Sequence, residues 1–95
     1  MESLRRRIVA TAPFRRALRG LGSPGAEAFV RSAARNIAQR PEHAAEVERT
    51  DVRVVHMRGY GGLPALRIFF TFDAQAVYLL DLRPYDELSV AAYEE

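Results

Sequence analysis

The stretch whose reading decides the fold is LRIFFTFDAQAVYLLDLRPYDEL, Leu66 to Leu88. Its first half alternates. Leu66, Ile68, Phe70 and Phe72 fall on one side of an extended segment, and Arg67, Phe69 and Thr71 on the other. A period of two, written in aromatic and branched residues, predicts a strand. Asp73-Ala74-Gln75-Ala76 is a turn-sized gap, and the apolar run Val77 to Leu82 that follows is too short for a buried helix and rich in strand formers. The pair reads as a β-hairpin at the middle of a small sheet. Arg67 is the odd residue, flanked by apolar neighbours on the face opposite Leu66 and Ile68. Two readings are open: its stem packs while its head reaches water, or its guanidinium is set where an anion binds.

Working outward toward the N-terminus, Asp51 to Met57 alternates in the same way, with Val52 and Val54 on one side and Arg53 and Val55 on the other, and predicts another strand. The glycine-rich link RGYGGLPA, residues 58–65, is a flexible connection rather than a tight hairpin turn. It lacks the lysine and following helix of a phosphate loop. Residues 41–50, PEHAAEVERT, read as a polar loop or the frayed last turn of a helix. Before them, Ser23-Pro24 supplies an N-cap and first helical residue, and Ala26, Phe29, Val30, Ala33 and Ile37 make an apolar stripe that Pro41 ends. An earlier helix begins at Thr11 as cap, carries Phe14, Ala17, Leu18 and Leu21 on one face, and stops at Gly20 and Gly22. Arg5 to Thr11 is a short strand. The predicted order is β-α-α-β-β-β, an α+β fold in which an N-terminal helical hairpin packs on a small, mainly antiparallel sheet. The expected core holds Phe14, Leu18, Phe29, Val30, Ile37, Ile68, Phe70 and Leu79.

At 95 residues the whole of 1–95 reads as one domain. A chain this size buries roughly 60–70% of its unfolded surface, so a surface groove, not a deep cavity, is where chemistry belongs. No apolar run is long enough to span a membrane, and the basic N-terminus has no apolar segment behind it, so a cytoplasmic location is expected. There is no cysteine, which excludes disulfides and thiolate zinc sites. His43 and His56 lack partners at metal-binding spacing, so neither a metal nor another cofactor is expected.

Charge is unevenly spread. Residues 1–40 carry nine arginines and two acids, a net +7, whereas residues 41–95 carry five arginines and ten acids, a net −5. The basic half is either a nucleic-acid footprint or an ordinary solvated helix face. Every basic residue is arginine. Arginine stays protonated and so stabilises anions but does not accept protons; a general base must come from His43, His56, a carboxylate or a tyrosine.

The element order, the basic helix PFRRALRGL, a proline after the second helix, the LRIFF strand and the VYLLDL strand leading into a short polar tail together resemble the RelE/ParE superfamily of bacterial toxins over nearly the whole chain. The resemblance implies the toxin of a type II toxin–antitoxin system. In the RelE branch such toxins are metal-independent, ribosome-dependent mRNA endoribonucleases that inhibit translation. The ribose 2′-hydroxyl attacks the neighbouring phosphate, a basic side chain stabilises the pentavalent centre, and acid/base groups move the protons. By this resemblance Arg67, in the third predicted strand, matches the phosphate stabiliser. Tyr85 falls where relatives often carry an acid or base, and Arg83 is a candidate RNA contact; many relatives have lysines on the second strand, where this chain offers only Arg53, His56 and Arg58 for RNA binding. Relatives carry a stacking aromatic four residues beyond Tyr85; here that residue is Ser89, with Tyr93 a possible substitute. The tail is acidic. The partners implied are an antitoxin protein, with the ribosome and mRNA for a RelE-type toxin. The alternative is a ParE-like, non-enzymatic inhibitor that binds DNA gyrase, or a catalytically decayed relative that binds only an antitoxin. No membrane is implied.

Overall fold

A computed structural model describes residues 6–59 and 61–85. The elements are β1 (Arg7–Ala10), α1 (Ala12–Gly20), α2 (Pro24–Gln39), a 3-10 turn (Pro41–His43), β2 (Ala45–Glu46), β3 (Arg53–Met57), β4 (Leu66–Phe72) and β5 (Ala76–Pro84). The five strands form one sheet in the order β1-β5-β4-β3-β2. β1 runs parallel to β5, and the other pairs are antiparallel. The parallel pairing follows from the connectivity: between β1 and its partner the chain makes two helices and three further strands, far more than the crossover that parallel neighbours need.

Both helices lie on one face of the sheet, α1 against β5 and α2 against β1 and β5. The core between the layers holds Phe14, Val30, Ala34, Ile37, Ala38, Met57, Leu66, Ile68, Phe70, Val77, Leu79 and Leu82. Phe70, Leu66 and Ile68 are wholly buried, and side chains of this kind each contribute roughly 1.5–3 kcal/mol of transfer free energy. The alternation of β4 is thus realised, with its even-numbered residues toward the helices. Six of the eight expected core residues are buried. Leu18 and Phe29 instead pack half-buried at the flank of the core. On α2 the stripe is rotated toward Ala34 and Ala38, because small side chains let the helix lie close to the sheet.

The caps differ in how they work. Ser23 accepts the Ala26 N–H at 3.2 Å, closing the first turn of α2 behind Pro24. Thr11 occupies the N-cap of α1 but its hydroxyl caps nothing; it donates to the Leu79 carbonyl at 2.8 Å and ties the helix start to β5. Residues 41–50 form more structure than a polar loop. The 3-10 turn leads into β2, an edge strand whose register is Ala45 with Val54 and Glu46 with Arg53. The fold therefore has one more strand than the predicted order. What anchors it is a side chain: Arg53 donates to the Glu42 and Ala44 carbonyls at 3.0 and 2.8 Å and pairs with Glu46 at 3.0 Å. Gly59 marks the return from β3 to β4, since a β-carbon there would lie 2.6 Å from the Leu63 carbonyl oxygen. The acidic tail, Ser89 and Tyr93 lie outside the described residues. Among the described residues no helix is long and apolar enough to cross a membrane.

Candidate functional site

The sheet face turned away from the helices carries the candidate site, and one extra residue in β5 builds it. Between β4 and β5 the register runs Phe72 with Val77, Thr71 with Tyr78 and Phe70 with Leu79. It then slips, so that Phe69 pairs with Asp81, Ile68 with Leu82 and Arg67 with Arg83. Leu80 is the residue left over, a β-bulge. Because side chains alternate with period two, one inserted residue reverses the phase of everything after it. In an unslipped ladder Asp81 would face Ile68 in the core and Leu82 would face solvent. The bulge sends Leu82 inward, where it is buried, and turns Asp81 and Arg83 to the open face.

Arg67 sits at the centre of the site, on the strand between β3 and β5. Its neighbours in register are His56 on one side and Arg83 on the other. Tyr85 is held just past the end of β5 by its backbone N–H, which donates to the Ala65 carbonyl at 3.1 Å. Its ring lies over Arg67, with the guanidinium carbon 5.2 Å from the ring centroid, a cation–π contact. The same ring meets His56 edge-on, with centroids 5.4 Å apart and planes at 83°. Arg67, Tyr85, His56 and Arg83 thus come together from three strands at one end of the sheet.

The two arginines of the cluster are treated differently. Arg67 is half-buried, and its Nε is shielded from solvent with no acceptor among the described residues. The Nε–H so placed reaches neither water nor a described acceptor, and a buried unmet donor costs about 1–3 kcal/mol. Arg83 is more exposed. Its Nε donates to the Asp81 carboxylate at 2.7 Å, and the other oxygen of that carboxylate accepts the Leu82 N–H at 2.8 Å. Like charges directly opposed across a sheet repel, and Asp81 offsets that repulsion between Arg67 and Arg83.

The remaining expected contacts lie elsewhere. Arg53 pairs in register with the buried Phe70, on the helix-side face, and its guanidinium lies 5.4 Å from the Phe72 ring centroid. It is therefore separated from the cluster by the sheet and is occupied in holding β2. Arg58 is exposed just beyond β3. Arg15, Arg16, Arg19, Arg31, Arg35 and Arg40 are exposed on the helices, across the sheet from the cluster. A depression at the far end of the sheet, lined by Glu46, Asp51, Arg53, Asp73 and Tyr78, is dominated by carboxylates and suits a polyanion poorly. No described group of three or more His, Asp or Glu side chains is placed to hold a metal. Asp81 was not among the residues expected at the site. Its signal was present in the sequence as a break in phase, since Val77 and Leu79 keep a period of two and Leu82 does not.

No protein-family model matches the chain, and no curated protein matches it by sequence. Among solved structures it is similar to a double arginine-to-alanine mutant of the Escherichia coli toxin RelE in the free state. The superposition has a TM-score of 0.67 at 11% identity and covers 92% of this chain and 90% of that one. The chain has a RelE-like fold.

Proposed function

We propose that this chain is the toxin of a bacterial type II toxin–antitoxin pair, and that it acts as a metal-independent endoribonuclease on mRNA held in the ribosome. The observation that carries the reading is the convergence of Arg67, His56, Tyr85 and Arg83 on one exposed end of the sheet, within a RelE-like fold. These side chains supply the three capabilities that internal transesterification of RNA requires. A proton acceptor takes the 2′-hydroxyl proton, and the His56 imidazole, exposed beside Tyr85, fills that role. As the O2′–P bond forms and the P–O5′ bond breaks, charge grows on the non-bridging oxygens. Arg67 meets it with a forked, permanently charged donor already desolvated at Nε. The departing O5′ takes a proton, and the Tyr85 phenol, fixed over Arg67, is the donor at hand. The products are a 2′,3′-cyclic phosphate and a free 5′-hydroxyl, with no co-reactant consumed. Arg83 holds a flanking phosphate. The neutralising partner of such a toxin would be an antitoxin protein.

The test is induction of the chain in a bacterial host, followed by mapping of mRNA ends on ribosomes. Rapid loss of translation with new mRNA cuts is the expected result. Tyr85→Phe keeps the ring over Arg67 and removes only the hydroxyl, and it is expected to slow cutting by about 10²-fold or more. Filamentation and DNA damage with intact mRNA would assign the chain to gyrase inhibition instead.

A further inference from the structure

We infer that Asp81 is a built-in competitor for Arg83: a carboxylate of the same strand that holds the Nε–H of the guanidinium in the free protein and competes with a phosphate for that donor edge. The inference deepens the reading of the open face as an RNA site and rests on it. Three observations support it.

The first is placement. Asp81 reaches the open face only because of the bulge at Leu80, and it is then pinned. One carboxylate oxygen accepts the Leu82 N–H at 2.8 Å, which orients the group toward Arg83, and the other takes the Arg83 Nε–H at 2.7 Å. The second is chemistry. A carboxylate and a phosphate offer a guanidinium the same charge-assisted hydrogen bonds, so they compete for the same donors. The third is exposure. The Asp81 side chain is 32% exposed and that of Arg83 68%. A pair this open contributes little to stability and is exchangeable, unlike a buried one.

The site is therefore asymmetric. The Arg67 Nε–H has no acceptor among the described residues, while the Arg83 Nε–H is already given to Asp81. A lone phosphate finds one guanidinium with an unmet donor and one whose Nε edge must be released from Asp81, beside a fixed negative charge. Free RNA consequently binds weakly. RNA held in place by other contacts presents its phosphates at high effective concentration, and the exchange then proceeds. Asp81 thus makes engagement of Arg83 conditional on the RNA being held by something besides this site.

The experiment compares the wild-type chain, Asp81→Asn, Arg83→Ala and the double variant. Asparagine keeps an oxygen for the Leu82 N–H, so the bulge is preserved; Asp81→Ser replaces it if the asparagine variant melts early. Binding of a short fluorescent single-stranded RNA is measured at about 50 and 200 mM salt. Asp81→Asn is expected to bind roughly three- to tenfold tighter at low salt, with the gain shrinking at high salt and absent in the Arg83→Ala background. Weaker or unchanged binding by Asp81→Asn overturns the proposal. So does an equal gain without Arg83, which would make Asp81 a general repulsive charge and not a competitor. A second arm titrates inorganic pyrophosphate while the arginine Nε–H resonances are followed by NMR. The Arg83 signal is expected to respond at lower pyrophosphate in Asp81→Asn. If every variant binds the free RNA too weakly to measure and pyrophosphate shows this Arg83-dependent gain, the competitor stands, and the nuclease reading falls only if mRNA on ribosomes also stays uncut. If pyrophosphate shows no gain, the competitor falls whatever RNA does.

Discussion

The two ends of the β4–β5 hairpin are made of the same kinds of residue and use them differently. At the turn end, arginine, aromatic and carboxylate are all satisfied. Asp73 accepts the Gln75 and Ala76 N–H groups, each at 2.8 Å, and the Tyr78 hydroxyl at 3.1 Å. Arg6 donates to the Asp73 carbonyl at 2.8 Å, and Arg6 and Arg53 both lie against the Phe72 ring. At the open end, Arg67 lies under Tyr85 with its Nε unmet among the described residues, and His56 stands exposed beside them. A guanidinium against an aromatic ring is thus a fastening at one end and a reserved donor at the other. What distinguishes them is whether the hydrogen-bonding capacity is spent. Composition alone assigns both ends the same role.

The largest expected effect comes from removing the device that separates the two ends. Inserting one residue between Phe69 and Phe70 gives Leu80 a partner and closes the ladder, which, with Phe70 and Leu79 still in the core, turns Asp81 inward and exposes Leu82. Burying that carboxylate without a partner costs several kcal/mol, a large part of the roughly 5–15 kcal/mol that holds a typical domain together. The insertion is expected to abolish cooperative urea unfolding, whereas deleting Leu80, which removes the bulge but leaves Asp81 opposite Phe69 and Leu82 opposite Ile68, is expected to retain it. An insertion variant that melts like the wild type would show that the bulge does not set the phase of the strand.

The second contrast sets two arginines against each other across the sheet. Arg67→Ala is expected to lower mRNA cleavage on ribosomes by about 10²–10³, the usual cost of a lost preorganised donor, with little change in melting. Arg67→Lys is expected to recover only part of the rate, since an ammonium cannot reproduce a fork. Arg53→Ala is expected to do the reverse. Its side chain is 19% exposed and bonds two backbone carbonyls that carry the chain into β2. Its loss is expected to cost about 1–3 kcal/mol, with cleavage per folded molecule unchanged. Melting and cleavage measured on the same variants would break the comparison if Arg67→Ala lost stability and kept its rate.

These contrasts also mark what the sequence made legible. The helices, their proline-led starts and the buried side of β4 follow from periodicity, which packing here obeys. Arg67 is conspicuous because a charge among aromatic and branched residues violates its surroundings. Arg53 looks equivalent by the same test, a cation in an alternating strand, and only the register with Phe70 reveals that it faces the helices. β2 is not legible because two residues, Ala45 and Glu46, carry no period, and the strand is held by the Arg53 side chain and by the Val47 N–H bond to the Val52 carbonyl in the turn that follows. The pairing of Asp81 with Arg83 was hidden for a related reason. In the run Val77 to Leu82 apolar residues stand on both sides of the bulge, so the slip at Leu80 makes no mark in hydrophobicity until Leu82.

The smallest expected effect lies at the satisfied end and is a matter of pH. The N–H groups of Gln75 and Ala76 hold the Asp73 carboxyl below its ordinary value of 3.8, with the Tyr78 hydroxyl and Arg6 adding to them. The hydrogen bond that Tyr78 donates to Asp73 raises its phenol above the ordinary 10.0, because ionisation gives up that donor, and the Asp73 charge further opposes a second negative one. A carboxyl whose pKa falls on folding contributes stability that is complete above 3.8 and is lost as pH drops through the lower folded value. A phenol whose pKa rises contributes stability that is complete below 10.0 and fades as pH climbs through the higher one. The turn is therefore expected to be firmest between these limits and to loosen at both. Because Asp73 is exposed, solvent screening keeps the effect modest. Asp73→Asn keeps an oxygen for the two N–H groups but removes the charge, so it is expected to flatten the acid limb of a melting-temperature curve while barely moving its neutral plateau. Asp73→Ala removes the acceptor as well and is expected to lower the plateau too. If the acid limb of Asp73→Asn kept the wild-type slope, another carboxylate would be responsible for it. The turn end would then owe its order to the Phe72 packing and not to the Asp73 charge.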